Sequence, residues 1–477
     1  MNSRDQKRFD ELISWAKQNG ASLHPSLEIY LDDVTKYSVR VKPSAQQDDF
    51  LPGSTAIACP FSTTLSFLNA VVGGPTTVSA SPDTHHEQPA FPPRFMNEVP
   101  PYVIGRFFLV QQYLKGNDSF WRPYIAALPQ PEHISSWALP AFWPEDDVDF
   151  LENTNVAVAA EEIQANVKKE FKHARSLLKE ENFPNWQDYT RVLYNWAFCI
   201  FTSRSFRPSL MLSQAARDHV LSRILPSGCK IDDFSILQPL FDIPNHSMTA
   251  KYTWDVASDP ACCQLVCGDA YRPGDQIYNN YGLKTNSELL LGYGFILPKT
   301  KDLHNDYYHV RKINQTTDDS EASTKPKDFL ISLRPISDLG SLAGRARQVN
   351  YGTLDLHKDP AFAHIEPALI YDLAMALAKP HEKAYLDAAL GVGRTPSGDT
   401  QPSPNLAQLS DCVKEVLVVK MVNDFQRLAD FEVFELEEEQ GQSASEAQMT
   451  PNQKLAMQYR EQCTKALEAA LTTLTDH

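Results

Sequence analysis

The chain has 477 residues, 42% of them hydrophobic and 22% charged, with a formal net charge of −16. That is enough chain for about two or three domains around sizeable cores. The acidity argues against nonspecific nucleic-acid binding, which needs a basic face; it suits plain solubility or a basic partner such as a lysine-rich tail.

The first twenty residues, MNSRDQKRFDELISWAKQNG, are charged and amphipathic, lack the apolar core of a signal peptide, and predict a helix over 9–19 that stops at Asn19-Gly20. Phe9, Leu12, Ile13 and Trp15-Ala16 share its apolar face. Short strands follow at LEIYL, YSVRVK and TAIACP, with a turn at Leu51-Pro52-Gly53-Ser54. The Pro-, Ser- and His-rich segment 79–95 reads as an exposed loop, and its His85-His86 pair as solvated rather than metal-binding.

Helical periodicity then takes over at 106–116, in a short element at 121–129, and in longer helices at 159–181 and 187–203. Apolar positions nearly encircle the last of these, so it is expected to be buried. Strands and turns return over 237–295. The polar segment 315–328 reads as a linker or mobile loop. Helices are predicted over 364–380, 382–391, 406–431 and 452–474, interrupted by loops at 393–405 and 435–448. They serve equally as a partner-binding module or as buttressing.

No segment approaches eighteen apolar residues, so no transmembrane helix is expected. Cys59, Cys199, Cys229, Cys262, Cys263, Cys267, Cys412 and Cys463 form no CxxC pair and are expected as buried or half-buried thiols. A reducing compartment, cytoplasm or nucleus, is expected.

The chemistry concentrates in two stretches. FDIPNHS (241–247) places Asp242, Asn245 and His246 around Pro244 in an apolar context. Such a cluster reads either as a satisfied core network or as a site. RPGDQIYNNYG (272–282) predicts a turn at Pro273-Gly274-Asp275 and a strand ending in Tyr281. TNSELLLGYGF (285–295) then predicts a helix capped by Thr285 or Asn286, with Glu288 in its first turn.

The ordered series NHS, GDQIYNNYG and NSELLLGYGF resembles the SET-domain methyltransferases, in particular the branch of the Rubisco large-subunit lysine methyltransferase. SFWRPYIAALP (119–129), ALPAFWPEDDVDFLENT (138–154) and WAFCIFTSRSF (196–206) resemble that branch's helical insert. The resemblance implies an α+β fold: a SET-domain β-fold with a pseudoknot and a helical insert, followed by a mainly α-helical C-terminal domain. The expected divisions are 1–95, a helix and the first part of the SET domain; 96–235, the helical insert; 236–312, the C-terminal part with the knot and the tyrosine; and 328–477, a helical domain like the branch's substrate-binding domain.

The activity implied is S-adenosylmethionine-dependent methyl transfer to a deprotonated protein lysine. No metal is expected. By resemblance Asn245 and His246 grip the cofactor, Asp242 contributes to the knot and cofactor pocket, and Arg204 pairs with the cofactor carboxylate. Tyr281 is the expected catalytic tyrosine. Tyr293, Phe295 and Phe206 are expected to wall the lysine channel, with plain core as their other reading. An aromatic at 206 favours lysine, where a histidine-methylating relative carries asparagine.

One departure stands out. The family's first strand-turn carries a glycine pair that wraps the methionine end of the cofactor, whereas DDVTKYSVRVK (32–42) has none, with Tyr37 and Ser38 where the flexible turn is expected. Asp32-Asp33 reads as a surface turn or as an acceptor for the cofactor ammonium. The missing glycines keep open a weak or inactive SET-fold scaffold; protein-histidine methylation is the remaining alternative. Expected partners are a protein substrate, basic and non-histone, with no direct nucleic acid and no membrane.

Overall fold

The structure is a computed structural model that describes residues 1–76, 88–312, 327–349, 351, 354–389, 406–430 and 449–476. The His85-His86 pair, the loops 393–405 and 435–448, and all but the last two residues of the 315–328 linker lie outside the described residues. The chain divides into two compact units, residues 1–138 with 163–282 and residues 139–162 with 283–477. Among the described residues no helix is long and apolar enough to cross a membrane.

The first unit opens with a helix, Ser3–Gln18, that starts earlier than the apolar spacing suggested because Asn2 caps it, accepting from Asp5 N at 2.8 Å. Phe9, Leu12 and Ala16 form its buried face. The strands are β1 (Ser22–Leu23), β2 (Leu27–Asp32), β3 (Lys36–Val41), β4 (Thr55–Pro60), β5 (Leu65–Ser66), β6 (Ser205–Phe206), β7 (Ile236–Leu237), β8 (Asn245–His246), β9 (Tyr252–Asp255), β10 (Cys262–Cys267) and β11 (Gln276–Asn279). They form three small sheets, ordered β1-β4-β10-β9, β2-β3-β11-β8 and β5-β7-β6. Alternation places Leu27 and Ile29 of β2 opposite Val41 and Val39 of β3, and Val39 opposite Ile277 of β11, on one buried face.

Two apolar helices, Pro101–Lys115 and Arg191–Arg204, are largely buried, the second as its encircling apolar positions predict. Phe107 packs on Tyr194 at 5.1 Å and on Phe95 at 5.4 Å between ring centroids. Each such pair contributes about 0.5–1.5 kcal/mol beyond its burial. This cluster corrects the loop expectation for 79–95: Phe91 and Phe95 are buried, and a helix, Pro93–Glu98, begins there. Proline at its first position supplies a φ already suited to a helix. Seven of the cysteines are buried or half-buried; Cys412 is exposed.

The second unit is built on the helix Pro451–Asp476, whose Ala456, Tyr459, Cys463, Ala466, Leu467, Ala470 and Leu474 repeat at helical spacing and are all buried. The helices Pro367–Leu377 and Leu406–Ala429 and the hairpin of β12 (Tyr307–Lys312) and β13 (Lys327–Ser332) share the unit. The hairpin corrects the linker expectation at Lys327 and Asp328, which pair with Lys312 and Arg311. The 139–162 segment is held within the unit by Asp147, which accepts from Thr450 Oγ1 at 2.8 Å and Asn452 Nδ2 at 2.9 Å. The helix Asn286–Tyr293 also belongs here. Its N-terminus is the predicted capping box of Thr285 and Glu288, and Gly294 ends it at φ 76°.

Candidate functional site

The approach to the NHS segment bends sharply at Leu240, which is buried and adopts φ 68°. A non-glycine residue in the left-handed region costs about 1–2 kcal/mol, so the surrounding core must hold this turn in place. It leaves the Asp242 side chain only 1% exposed. Tyr124 OH donates to Asp242 Oδ2 at 2.9 Å. Arg204, the last residue of its helix, donates from Nη1 to Asp242 O at 3.1 Å and lies 3.6 Å from Oδ2. Burial pushes the Asp242 carboxyl up, opposed by Arg204 and Tyr124. Oδ1 has no hydrogen-bond partner among the described residues.

Asn245 and His246 form β8, which runs parallel to β11 with Asn245 opposite Tyr278 and His246 opposite Asn279. The predicted strand toward Tyr281 stops at Asn279, a correction with a local cause. Asn279 Oδ1 accepts from Asn280 N at 2.9 Å and from Trp254 Nε1 at 3.2 Å, while Asn280 Nδ2 donates to Met248 O at 3.1 Å. Side chains thus take over the hydrogen bonding where the ladder ends. Gly282, at φ 104°, lets the chain leave in a conformation that a Cβ would strain.

Tyr281 is thereby brought onto the NHS segment. Its N–H donates to His246 Nδ1 at 3.0 Å, its hydroxyl donates to Pro244 O at 2.9 Å, and the two rings stack at 5.0 Å. A donation from a backbone N–H makes Nδ1 the unprotonated ring nitrogen in this arrangement. Phe206, half-buried on β6, meets Phe241 at 5.5 Å and Trp254 at 5.8 Å, both edge to face. Tyr293 and Phe295 stand in the second unit, half-buried and paired with each other at 6.3 Å. Burial raises the Tyr293 phenol.

The glycine-free turn lies elsewhere than expected. Tyr37 and Ser38 are inside β3, and the turn is 33–35, followed by Lys36 at φ 63°. Asp32 builds it: Oδ1 accepts from Val34 N at 2.9 Å and Thr35 N at 2.7 Å. Those backbone donors lower its pKa. Asn245 Nδ2 donates to Thr35 O and to Gln276 Oε1, each at 3.2 Å. Tyr124, Gln276 and Lys36 are the participants that sequence reasoning missed. Only Gln276 carried a local signal, as a polar residue on the tyrosine-rich strand.

The chain aligns over its full length with the structure of Rubisco LSMT bound to AdoMet, covering 92% of that chain at a TM-score of 0.59 and 17% identity. The fold is therefore the SET-domain fold of the Rubisco LSMT kind, α+β with a sheet-containing core. Among curated proteins, the chain is 30% identical over 293 residues to ribosomal lysine N-methyltransferase set10 of Schizosaccharomyces pombe, covering 61% of this chain and 46% of that protein. It is 24% identical over 327 residues to protein-lysine N-methyltransferase EFM1 of Saccharomyces cerevisiae, covering 61% and 50%. The chain thus spans about half the length of the curated relatives it matches. No family model matches it.

Proposed function

We propose that this chain is an S-adenosylmethionine-dependent protein-lysine N-methyltransferase. The observation that carries the reading is Tyr281 seated on the Pro244–His246 segment, with both its N–H and its hydroxyl engaged there. The lysine methyltransferase names of the two curated relatives support the same reading.

The residues present fit the cofactor. Arg204 is 29% exposed and uses only Nη1 among the described residues, so its other donors can meet a carboxylate. Asn245 Oδ1 takes no hydrogen bond among the described residues and suits an ammonium. Backbone of Asn245 and His246 would hold the adenine. When bound, the cofactor supplies an electrophilic methyl on a positively charged sulfur.

The chain's own task is to orient and desolvate the incoming amine. A lysine ammonium of pKa about 10.4 must lose its proton before it attacks, and an apolar channel lowers that value. Phe206 is proposed to wall the channel. With its proton directed to Pro244 O, the Tyr281 oxygen acts as an acceptor for an amine N–H, fixing the nitrogen lone pair toward the methyl.

The remaining assignments belong to the same proposal. Residues 1–95, 96–235 and 236–312 make the SET domain with its insert, and 328–477 engages the substrate. The substrate is a basic, non-histone protein, of the ribosomal class that one relative's name suggests. The working compartment is the cytoplasm or nucleus.

The test is Tyr281→Phe, assayed with labelled S-adenosylmethionine on a basic protein extract and by calorimetric titration. Methyl transfer should fall by about 10²-fold or more while cofactor affinity stays within about twofold. Wild-type chain that binds no cofactor would refute the enzyme reading in favour of a scaffold. Label found on histidine rather than lysine would refute the lysine assignment.

A further inference from the structure

Gln276 lies at the centre of a hydrogen-bond network that joins the turn 33–35 to Asn245. Its Oε1 accepts from Ser38 Oγ at 3.1 Å and Asn245 Nδ2 at 3.2 Å. Its Nε2 donates to Tyr30 OH at 2.7 Å and Thr35 Oγ1 at 3.3 Å. The Thr35 hydroxyl has two acceptors within reach, Asp32 Oδ1 at 3.1 Å and Gln276 Oε1 at 3.4 Å; the two amide orientations are set by their other partners. Asp32 is held as an acceptor by two backbone N–H groups. It also takes the Thr35 hydroxyl proton at 3.1 Å and the Tyr30 hydroxyl proton at 3.3 Å. With those protons on Asp32, both hydroxyl oxygens accept from the amide nitrogen of Gln276, and its oxygen faces Asn245. At the other end Thr35 O can only accept, so the group that Asn245 turns toward it is the NH2.

The two ends agree on one amide orientation for Asn245, with Nδ2 turned into the network and Oδ1 turned away from it. A single flipped amide would set two donors or two acceptors face to face. Ser38 is fully buried, so its hydroxyl has the Gln276 carbonyl as its outlet. Thr35 O is also the carbonyl that precedes the left-handed Lys36. The same bond that orients Asn245 therefore holds a turn that lacks glycine.

We infer that Gln276 is a positioning residue that fixes Asn245 with its Oδ1 presented as an acceptor for the cationic amino-acid end of the cofactor. The inference rests on the cofactor reading above. It assigns Gln276 no contact with the cofactor; Gln276 acts through Asn245 and through the turn. It therefore predicts a selective effect. Ligands with an ammonium should feel the network, and ligands without one should not.

The experiment is a calorimetric titration of the full chain and its Gln276→Met and Gln276→Glu variants. The probes are S-adenosylhomocysteine and 5′-methylthioadenosine, which keeps the adenosine and sulfur but has no ammonium or carboxylate. Methionine fills the space without an acceptor, so S-adenosylhomocysteine should bind about tenfold more weakly while 5′-methylthioadenosine changes by less than about threefold. Glutamate keeps an acceptor toward Asn245 and Ser38, so the preference between the two ligands should stay within about threefold of wild type.

Equal weakening of both ligands by methionine, or loss of the preference with glutamate, would overturn the inference and leave the cofactor reading intact. Failure of wild-type chain to bind S-adenosylhomocysteine would overturn the cofactor reading itself.

Discussion

Lys36 offers a direct test of how a SET-type turn survives without glycine. It is exposed, makes no ion pair among the described residues and sits at φ 63°. Removing its side chain therefore changes backbone strain and little else. An L-residue in the left-handed region carries about 1–2 kcal/mol that glycine does not. Glycine gives back about 0.5–1 kcal/mol through the entropy of the unfolded chain. Lys36→Gly should thus stabilise the protein by about 0.5–1 kcal/mol. Lys36→Val loses the same charge but adds a β-branched side chain, which tolerates this φ poorly; it should destabilise by about 1–2 kcal/mol. Urea unfolding followed by tryptophan fluorescence reads both as shifts of midpoint at constant slope. If glycine and valine shift the midpoint in the same direction, the left-handed turn is not what limits this segment and the reasoning fails.

Two further outcomes follow from buried charge. Arg204→Ala leaves the Asp242 carboxylate buried without its guanidinium and should cost about 2 kcal/mol, below the range for a fully buried pair because Arg204 is 29% exposed. The Asp242 carboxyl, already raised by burial, would rise further. Folded protein would then hold that proton more tightly than unfolded chain, so the deficit is present above the folded pKa and fades as pH falls through it. Asp242→Asn in the same background should restore most of the loss, and a double-mutant cycle that shows simple additivity would contradict the pairing.

In the second unit, His304 is buried against Ser341 Oγ at 2.9 Å. Burial, then Arg334, push its imidazole down to about 4, with Lys299 and His364 adding to the shift and Asp338 opposing it. The unfolded chain takes up that proton first, so stability is intact above about pH 6.5 and falls by up to about 3 kcal/mol as pH drops toward 4. His304→Asn should flatten this slope in urea midpoints taken between pH 7 and 4.5, and an unchanged slope would remove His304 from the account.

Much of the fold around the candidate site was legible because its signals are local. The Thr285–Glu288 capping box, the glycine stop at Gly294, the apolar faces of the helices and the alternation in β2 all act within a few residues. The sequence by itself therefore determined these elements and the order of the NHS and tyrosine motifs. What it could not determine are bonds between partners far apart in the chain. Tyr124 and Asp242 are separated by 118 positions, Thr35 and Asn245 by 210. Only the fold decides that Asp242 is buried under Arg204, that β11 yields to side-chain bonding at Asn279, and that a lysine occupies the left-handed turn. In each case a local preference is overridden by desolvation or by hydrogen bonds that exist only once distant strands have met.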